Sequence, residues 1–110
     1  MKEAINYDDF SKLDIRMGLI KKAERIEESE KLILLSIDLG EAEDRQLVAG
    51  IGASYDPEEL KGKAVPVLSN LEPKKIMGYE SNGMILASES EKGPVILTAL
   101  SDTVPGSRVS

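Results

Sequence analysis

Cysteine, histidine and tryptophan are missing from the 110 residues, and the aromatic set is one phenylalanine and three tyrosines. Without thiols or imidazoles there is no disulfide, no thiolate nucleophile, no imidazole base and no zinc or haem site of the usual kind. Only carboxylates remain as metal ligands. The cluster Glu27, Glu28, Glu30 reads as a solubilising stretch of hairpin, so neither metal nor cofactor is assigned. No apolar run approaches the ~20 residues that span a bilayer. The N-terminal stretch MKEAINYDD lacks the basic-then-apolar layout of a signal peptide, which gives the cytoplasm as the expected location and no membrane as a partner. Basic residues are also in deficit, 14 Lys and Arg against 20 Asp and Glu, a net charge of −6. That balance argues against nonspecific nucleic-acid binding, which draws its affinity from Lys and Arg displacing counterions.

What is present is a chain of one-domain size, taken as a single domain over 1–110, with a mostly aliphatic core. Asp8 and Asp9 ahead of Phe10 and Leu13 suggest a short helical turn. From Leu13 to Ile26 apolar residues recur at every second position (Leu13, Ile15, Met17, Leu19), the period of a half-buried strand, with Gly18 marking a bulge or bend. Lys31–Leu39 and Arg45–Ile51 read as the second and third strands, joined by a hairpin loop at Glu41–Asp44. Asp56-Pro57-Glu58-Glu59 is a capping box with proline at the first helical position, and Gly62 is placed to end the short helix it opens. Ala64–Leu68 is the fourth strand, where Pro66 predicts an edge or a bulge. Met84–Ser88 and Val95–Thr98 are the remaining apolar runs. Between the fourth strand and Met84, Asn70 to Gly83 reads as a loop carrying Lys74 and Lys75, with no acidic residue from there until Glu80. Short strands with one helix between the third and fourth fit an all-β, five-stranded Greek-key barrel of the OB type. In such barrels the loops before strands two and five bind oligonucleotides.

The segments Phe10-x-Lys12-Leu13-Asp14-Ile15-Arg16-x-Gly18, Lys31-Leu32, Arg45-Gln46-Leu47-Val48-x-Gly50-Ile51 and Tyr55-x-Pro57-Glu58-Glu59-Leu60-x-Gly62-Lys63 follow a recognisable order. They lead to Asn70-Leu71-x-Pro73-Lys74-Lys75-x-x-Gly78-x-x-Ser81-x-Gly83-Met84. Together they resemble the tRNA-binding domain found at the C-terminus of many methionyl-tRNA synthetases and in free-standing dimeric tRNA-binding proteins. The resemblance implies an OB barrel that binds the folded shape of tRNA with little dependence on base sequence and catalyses nothing. It implies Lys31, Asn70, Lys74, Lys75, Ser81 and Met84 as RNA-facing residues, with Arg16 a further candidate. Lysines would meet phosphates, and Asn70 and Ser81 ribose or phosphate oxygens. Met84 serves either the core or the contact.

The chain departs from the family at Ile26-Glu27-Glu28-Ser29-Glu30, an acidic stretch where a neutral-to-basic one is usual. A related secretion-chaperone family shares the fold and the Tyr-x-Pro-Glu-Glu-Leu segment but not Ser-x-Gly-Met. A protein-interaction or chaperone-like module with little RNA affinity is therefore the alternative. No serine, lysine or carboxylate sits in a nucleophile motif, so the chain reads as a binding module and not an enzyme. The apolar tail from Gly93 to Val109 resembles the segment by which family members pair subunits. With Tyr7–Leu13 it implies terminal segments that form an isologous homodimer interface, and a methionyl-tRNA synthetase as a further possible partner.

Overall fold

Strand β2 (Ile33–Asp38) shows how the chain builds its interior. Ile33, Leu35 and Ile37 are fully buried, while Leu34, Ser36 and Asp38 on the opposite face are partly covered. In the computed structural model, which describes residues 1–110, β2 belongs to a sheet of five antiparallel strands. Its members are β1 (Ile15–Arg25), β2, β3 (Arg45–Ala49), β4 (Ala64–Leu68) and β7 (Met84–Ile85). They are ordered β3-β2-β1-β4-β7, and β7 returns to β3, so the sheet curls into a nearly closed barrel. Within it β3 keeps the alternation, and β4 is buried at three successive positions, Val65 to Val67. Two small hairpins complete the set: β5 (Lys74–Ile76) with β6 (Tyr79–Ser81), and β8 (Ala87–Ser90) with β9 (Gly93–Ile96). The two helices, α1 (Tyr7–Phe10) and α2 (Pro57–Leu60), are four residues each, and no helix is long and apolar enough to cross a membrane.

Helix α2 lies between β3 and β4, as the capping box predicts. The Asp56 N–H donates to the Glu59 carboxylate at 2.8 Å, and Gly62 ends the helix at φ +82°. Its one buried residue, Leu60, plugs the barrel beside β1, a burial that contributes about 2 kcal/mol. The core is aliphatic throughout, built from Ile20, Ile33, Leu35, Ile37, Leu47, Val65, Val67 and smaller neighbours.

Strand β1 differs from its sequence reading in two ways. The irregularity lies at Lys21, where the register to β2 shifts between Ile20 and Lys22, and not at Gly18. Before it the strand pairs with β4, after it mainly with β2, so the bulge supplies the bend that closes the barrel. Gly18 serves close packing instead. A Cβ there would collide with the Ile37 side chain and stand 3.0 Å from Leu39 Cδ2 and 3.2 Å from Val67 Cγ2. The second difference is phase: Gly18, Ile20 and Ala23 face the core, and the alternating set Ile15, Met17, Leu19 faces outward.

The C-terminal segment joins β1 along the edge that faces away from β4. The Met17 N–H donates to Ser107 O (2.9 Å), the Gly106 N–H to Met17 O (2.7 Å) and the Val109 N–H to Ile15 O (2.8 Å), so the tail runs antiparallel along β1. Pro66, expected at an edge or a bulge, sits inside the sheet in regular register opposite Met17. It is tolerated because Met17 directs its backbone groups to the tail, leaving a pair that needs no proline N–H. On the far side, strand β7 has only two residues, and Pro66 there accepts from the Leu86 N–H at 3.1 Å. Near the termini and along the tail, Ile5, Tyr7, Leu13, Leu100 and Val104 remain exposed.

Candidate nucleic-acid interface

Residues 74–81, read from sequence as loop, form a β-hairpin. Lys74 pairs with Ser81, Lys75 with Glu80 and Ile76 with Tyr79. Met77 and Gly78 make the turn at φ +50° and +85°, the doubly left-handed geometry of a two-residue hairpin connection. Asparagine is the usual residue at the first of these positions; methionine there carries a backbone cost.

Two contacts to β3 hold the hairpin. The Ser81 hydroxyl accepts the Val48 N–H at 3.0 Å, and the Gln46 side-chain amide donates to Glu80 O at 3.0 Å. One residue on, the Asn82 N–H donates to Gln46 O at 2.9 Å. Ser81 is 6% exposed, so its hydroxyl is engaged inside the fold and faces β3. Arg45 braces the same region. Its guanidinium forks onto the Glu41 carboxylate at 3.0 and 2.9 Å and donates to Ser69 O, tying the β2–β3 loop to the end of β4.

Lys74 and Lys75 are exposed and belong to no ion pair, which leaves both ammonium groups free for a ligand. Lys31 is likewise exposed and unpaired. It sits in the β1–β2 loop, whose backbone is fastened by the Gly52 N–H donating to Lys31 O at 2.7 Å. The tip of the hairpin faces this loop across a cleft, with Met77 and Tyr79 on one side and Ile26, Glu27 and Glu28 on the other. Met84 is exposed on β7, opposite Leu68. Of its two sequence readings the core is thereby removed.

Asn70 and Arg16 fall elsewhere. Both line a cleft with Tyr7, Phe10 and Arg108 beside the chain termini. Asn70 Oδ1 accepts the Asp14 N–H (2.8 Å) and Nδ2 donates to Lys12 O (2.7 Å), so the side chain stitches the start of the 70–73 loop to the lead-in of β1. Arg16 donates to Asp14 Oδ1 (2.8 Å) and Gly106 O (3.1 Å). The seven predicted residues thus divide: Lys31, Lys74 and Lys75 as free cations, Met84 as an exposed apolar group, Ser81, Asn70 and Arg16 as groups with intramolecular partners. Sequence reasoning missed Gln46 and Arg45 as the supports of the hairpin. Apart from Glu41, which Arg45 meets four residues away, their partners lie 24 to 37 residues distant, where no local signal announces them.

Five antiparallel strands in this order, a helix between the third and fourth, and loops gathered at one mouth define an OB-type binding module. The particular family follows from comparison: residues 15–108 match the family described as "Putative tRNA binding domain", and the chain belongs to that tRNA-binding domain family. It is 55% identical over 108 residues to a methionine–tRNA ligase of Archaeoglobus fulgidus, covering 98% of this chain but 16% of that protein. The chain thus spans about a sixth of the curated relatives it matches. Among solved structures it is similar to a MetRS-related protein from Pyrococcus horikoshii, with a TM-score of 0.91 and 40% identity over 99% of this chain and 100% of that one. The chaperone CsaA from Bacillus anthracis superimposes with a TM-score of 0.88 at 30% identity, over 98% of this chain and 100% of that one.

Proposed function

We propose that this domain binds tRNA by its folded shape, with little dependence on sequence, through the β5–β6 hairpin and the β1–β2 loop. The observation that carries the proposal is the unpaired Lys74–Lys75 couple on a hairpin held to the barrel by Ser81 and Gln46. A fixed hairpin presents the two charges to phosphates without first having to be ordered. Family membership and the likeness to methionine–tRNA ligases support the ligand class. In this reading the domain contributes binding and no catalysis, and supports a methionyl-tRNA synthetase.

We further propose an isologous homodimer, supported by the exposed Ile5, Tyr7, Leu13, Leu100 and Val104 around the termini. A second copy would cover that face and present two hairpins to one L-shaped ligand, adding avidity.

Fluorescence anisotropy against folded tRNA and an unstructured RNA of equal length tests the ligand. Folded tRNA should bind preferentially, and three neutralised phosphates predict a log–log salt slope of roughly −2 to −3. The double change Lys74→Glu, Lys75→Glu should abolish binding while leaving the circular dichroism intact. Unchanged binding would remove the hairpin from the site. Failure of the unaltered protein to bind either RNA at low salt would favour the chaperone-like alternative, which the likeness to CsaA and the acidic turn at Glu27–Glu30 support.

A further inference from the structure

Only two residues other than glycine hold left-handed backbone angles, Glu28 at φ 71° and Met77 at φ 50°, and they face each other across the cleft between the β1–β2 turn and the hairpin tip. Met77 and Tyr79 are large apolar side chains left open to solvent there. Cross-strand pairing sets Tyr79 opposite Ile76 and Lys74 opposite Ser81, so the phenol ring and the Lys74 ammonium share one face of the hairpin as diagonal neighbours. On the facing wall Arg25 donates to Gly52 O (2.8 Å) and Asp56 Oδ1 (3.2 Å), while the carboxylates of Glu24, Glu27 and Glu28 make no ion pair.

From this arrangement we infer that the cleft takes one unpaired nucleobase of the bound RNA, an inference that rests on the tRNA reading above. A nucleotide joins an anion to a flat ring whose outer edge carries hydrogen-bond donors. Hairpin and cleft offer a cation, an aromatic face and acceptors in the matching order. The base lies on Tyr79 with the Met77 thioether at its margin, its phosphate is held at Lys74, and its edge meets the carboxylates of Glu27 and Glu28. Unpaired bases in RNA are commonly held this way, by aromatic stacking and hydrogen bonds to the Watson–Crick edge.

Ionised carboxylates only accept hydrogen bonds, which makes the cleft selective. Guanine presents its N1–H and 2-amino group side by side and satisfies a carboxylate with two bonds. Adenine and cytosine offer one amino group each, and uracil flanks its single N–H with carbonyl oxygens that a carboxylate repels. The domain therefore adds a preference for guanine at one position to its recognition of shape. A basic protein side chain would also meet the carboxylates, but it would set like charge against Lys74, and the nucleotide suits the whole face better.

The test is an NMR titration of the full chain with GMP, IMP and UMP, following backbone amides. GMP should move the resonances of Glu27, Glu28, Met77 and Tyr79. IMP, which lacks the 2-amino group, should move them less, and UMP least. In the tRNA titration Tyr79→Ala should weaken binding roughly five- to hundredfold, the range carried by base–aromatic stacking, while Tyr79→Phe should leave it unchanged. Identical or absent shifts with all three nucleotides would overturn the inference. So would a Gly-Lys-Gly peptide that moves these amides when GMP does not, since the cleft would then be a site for a basic protein segment. If tRNA binds but GMP moves nothing, the base pocket fails and shape recognition stands. If tRNA does not bind, shape recognition fails, and the GMP shifts still decide the cleft by themselves.

Discussion

Replacing Ser81 by alanine separates a residue that holds the interface from one that touches RNA. The Ser81 hydroxyl accepts the Val48 N–H at 3.0 Å in a site where the serine is 6% exposed. Alanine leaves that backbone donor facing the hairpin without an acceptor, and an unsatisfied buried donor costs about 1–3 kcal/mol. For a domain of this size 1 kcal/mol shifts the melting midpoint by about 4 °C, so Tm should fall by roughly 4–12 °C at fixed protein concentration. The hairpin keeps its Gln46–Glu80 bond and the Asn82–Gln46 backbone bond, so it loosens and does not detach. Affinity for tRNA should drop only several-fold. Amide hydrogen exchange gives the local readout: Val48 should lose protection beyond the change in global stability. An unchanged Tm with a tenfold or greater loss of tRNA affinity would refute this reasoning and place the hydroxyl on RNA.

Other substitutions test the remaining contacts. Gly18→Ala drives a methyl into Ile37, Leu39 and Val67 and should cost about 1–3 kcal/mol, read as a lower urea midpoint at constant slope. Asn70→Ala removes both bonds to the lead-in of β1 and should cost about 1–2 kcal/mol in the same assay, with tRNA affinity nearly unchanged. Leu100→Glu with Val104→Glu should turn a dimer into a monomer in sedimentation velocity and, by removing avidity, weaken tRNA binding. An unaltered mass would clear the apolar face of a role in pairing.

Elements specified by near neighbours were legible in the sequence. The capping box gave α2, and the run Ala64–Leu68 matches β4 end to end. β1 was legible as a strand but not in its orientation, because the apolar alternation of Ile15, Met17 and Leu19 marks the outward side. Its core side is begun by Gly18, which has no side chain to reveal it, and the bulge at Lys21 then shifts the phase. The hairpin was hidden for a different reason: strands of three residues are too short to show a period, and methionine occupies a turn position where asparagine would have signalled it. The lysines of the candidate site were legible through the order of the motifs around them, and their freedom from ion pairs is what the structure adds. What Asn70 and Ser81 do depends on backbone groups 33 to 58 residues distant, and pattern alone does not reach them.

The tail along β1 has a consequence for how the domain is made. Bonds join Ile15 to Val109 and Met17 to Gly106 and Ser107, so the first strand waits for the last residues. During synthesis the barrel can collapse once β7 has emerged, yet this edge of β1 stays unpaired until residue 109 clears the ribosome. Such distant pairing slows folding, because loop-closure entropy is lost before the contacts return it. A nascent chain halted near Leu100 would therefore display the backbone groups of Ile15 and Met17 as an open strand edge, a template for pairing with another chain. A chain shortened by the last ten residues should aggregate as it is made, even with its barrel core and its lysine hairpin complete.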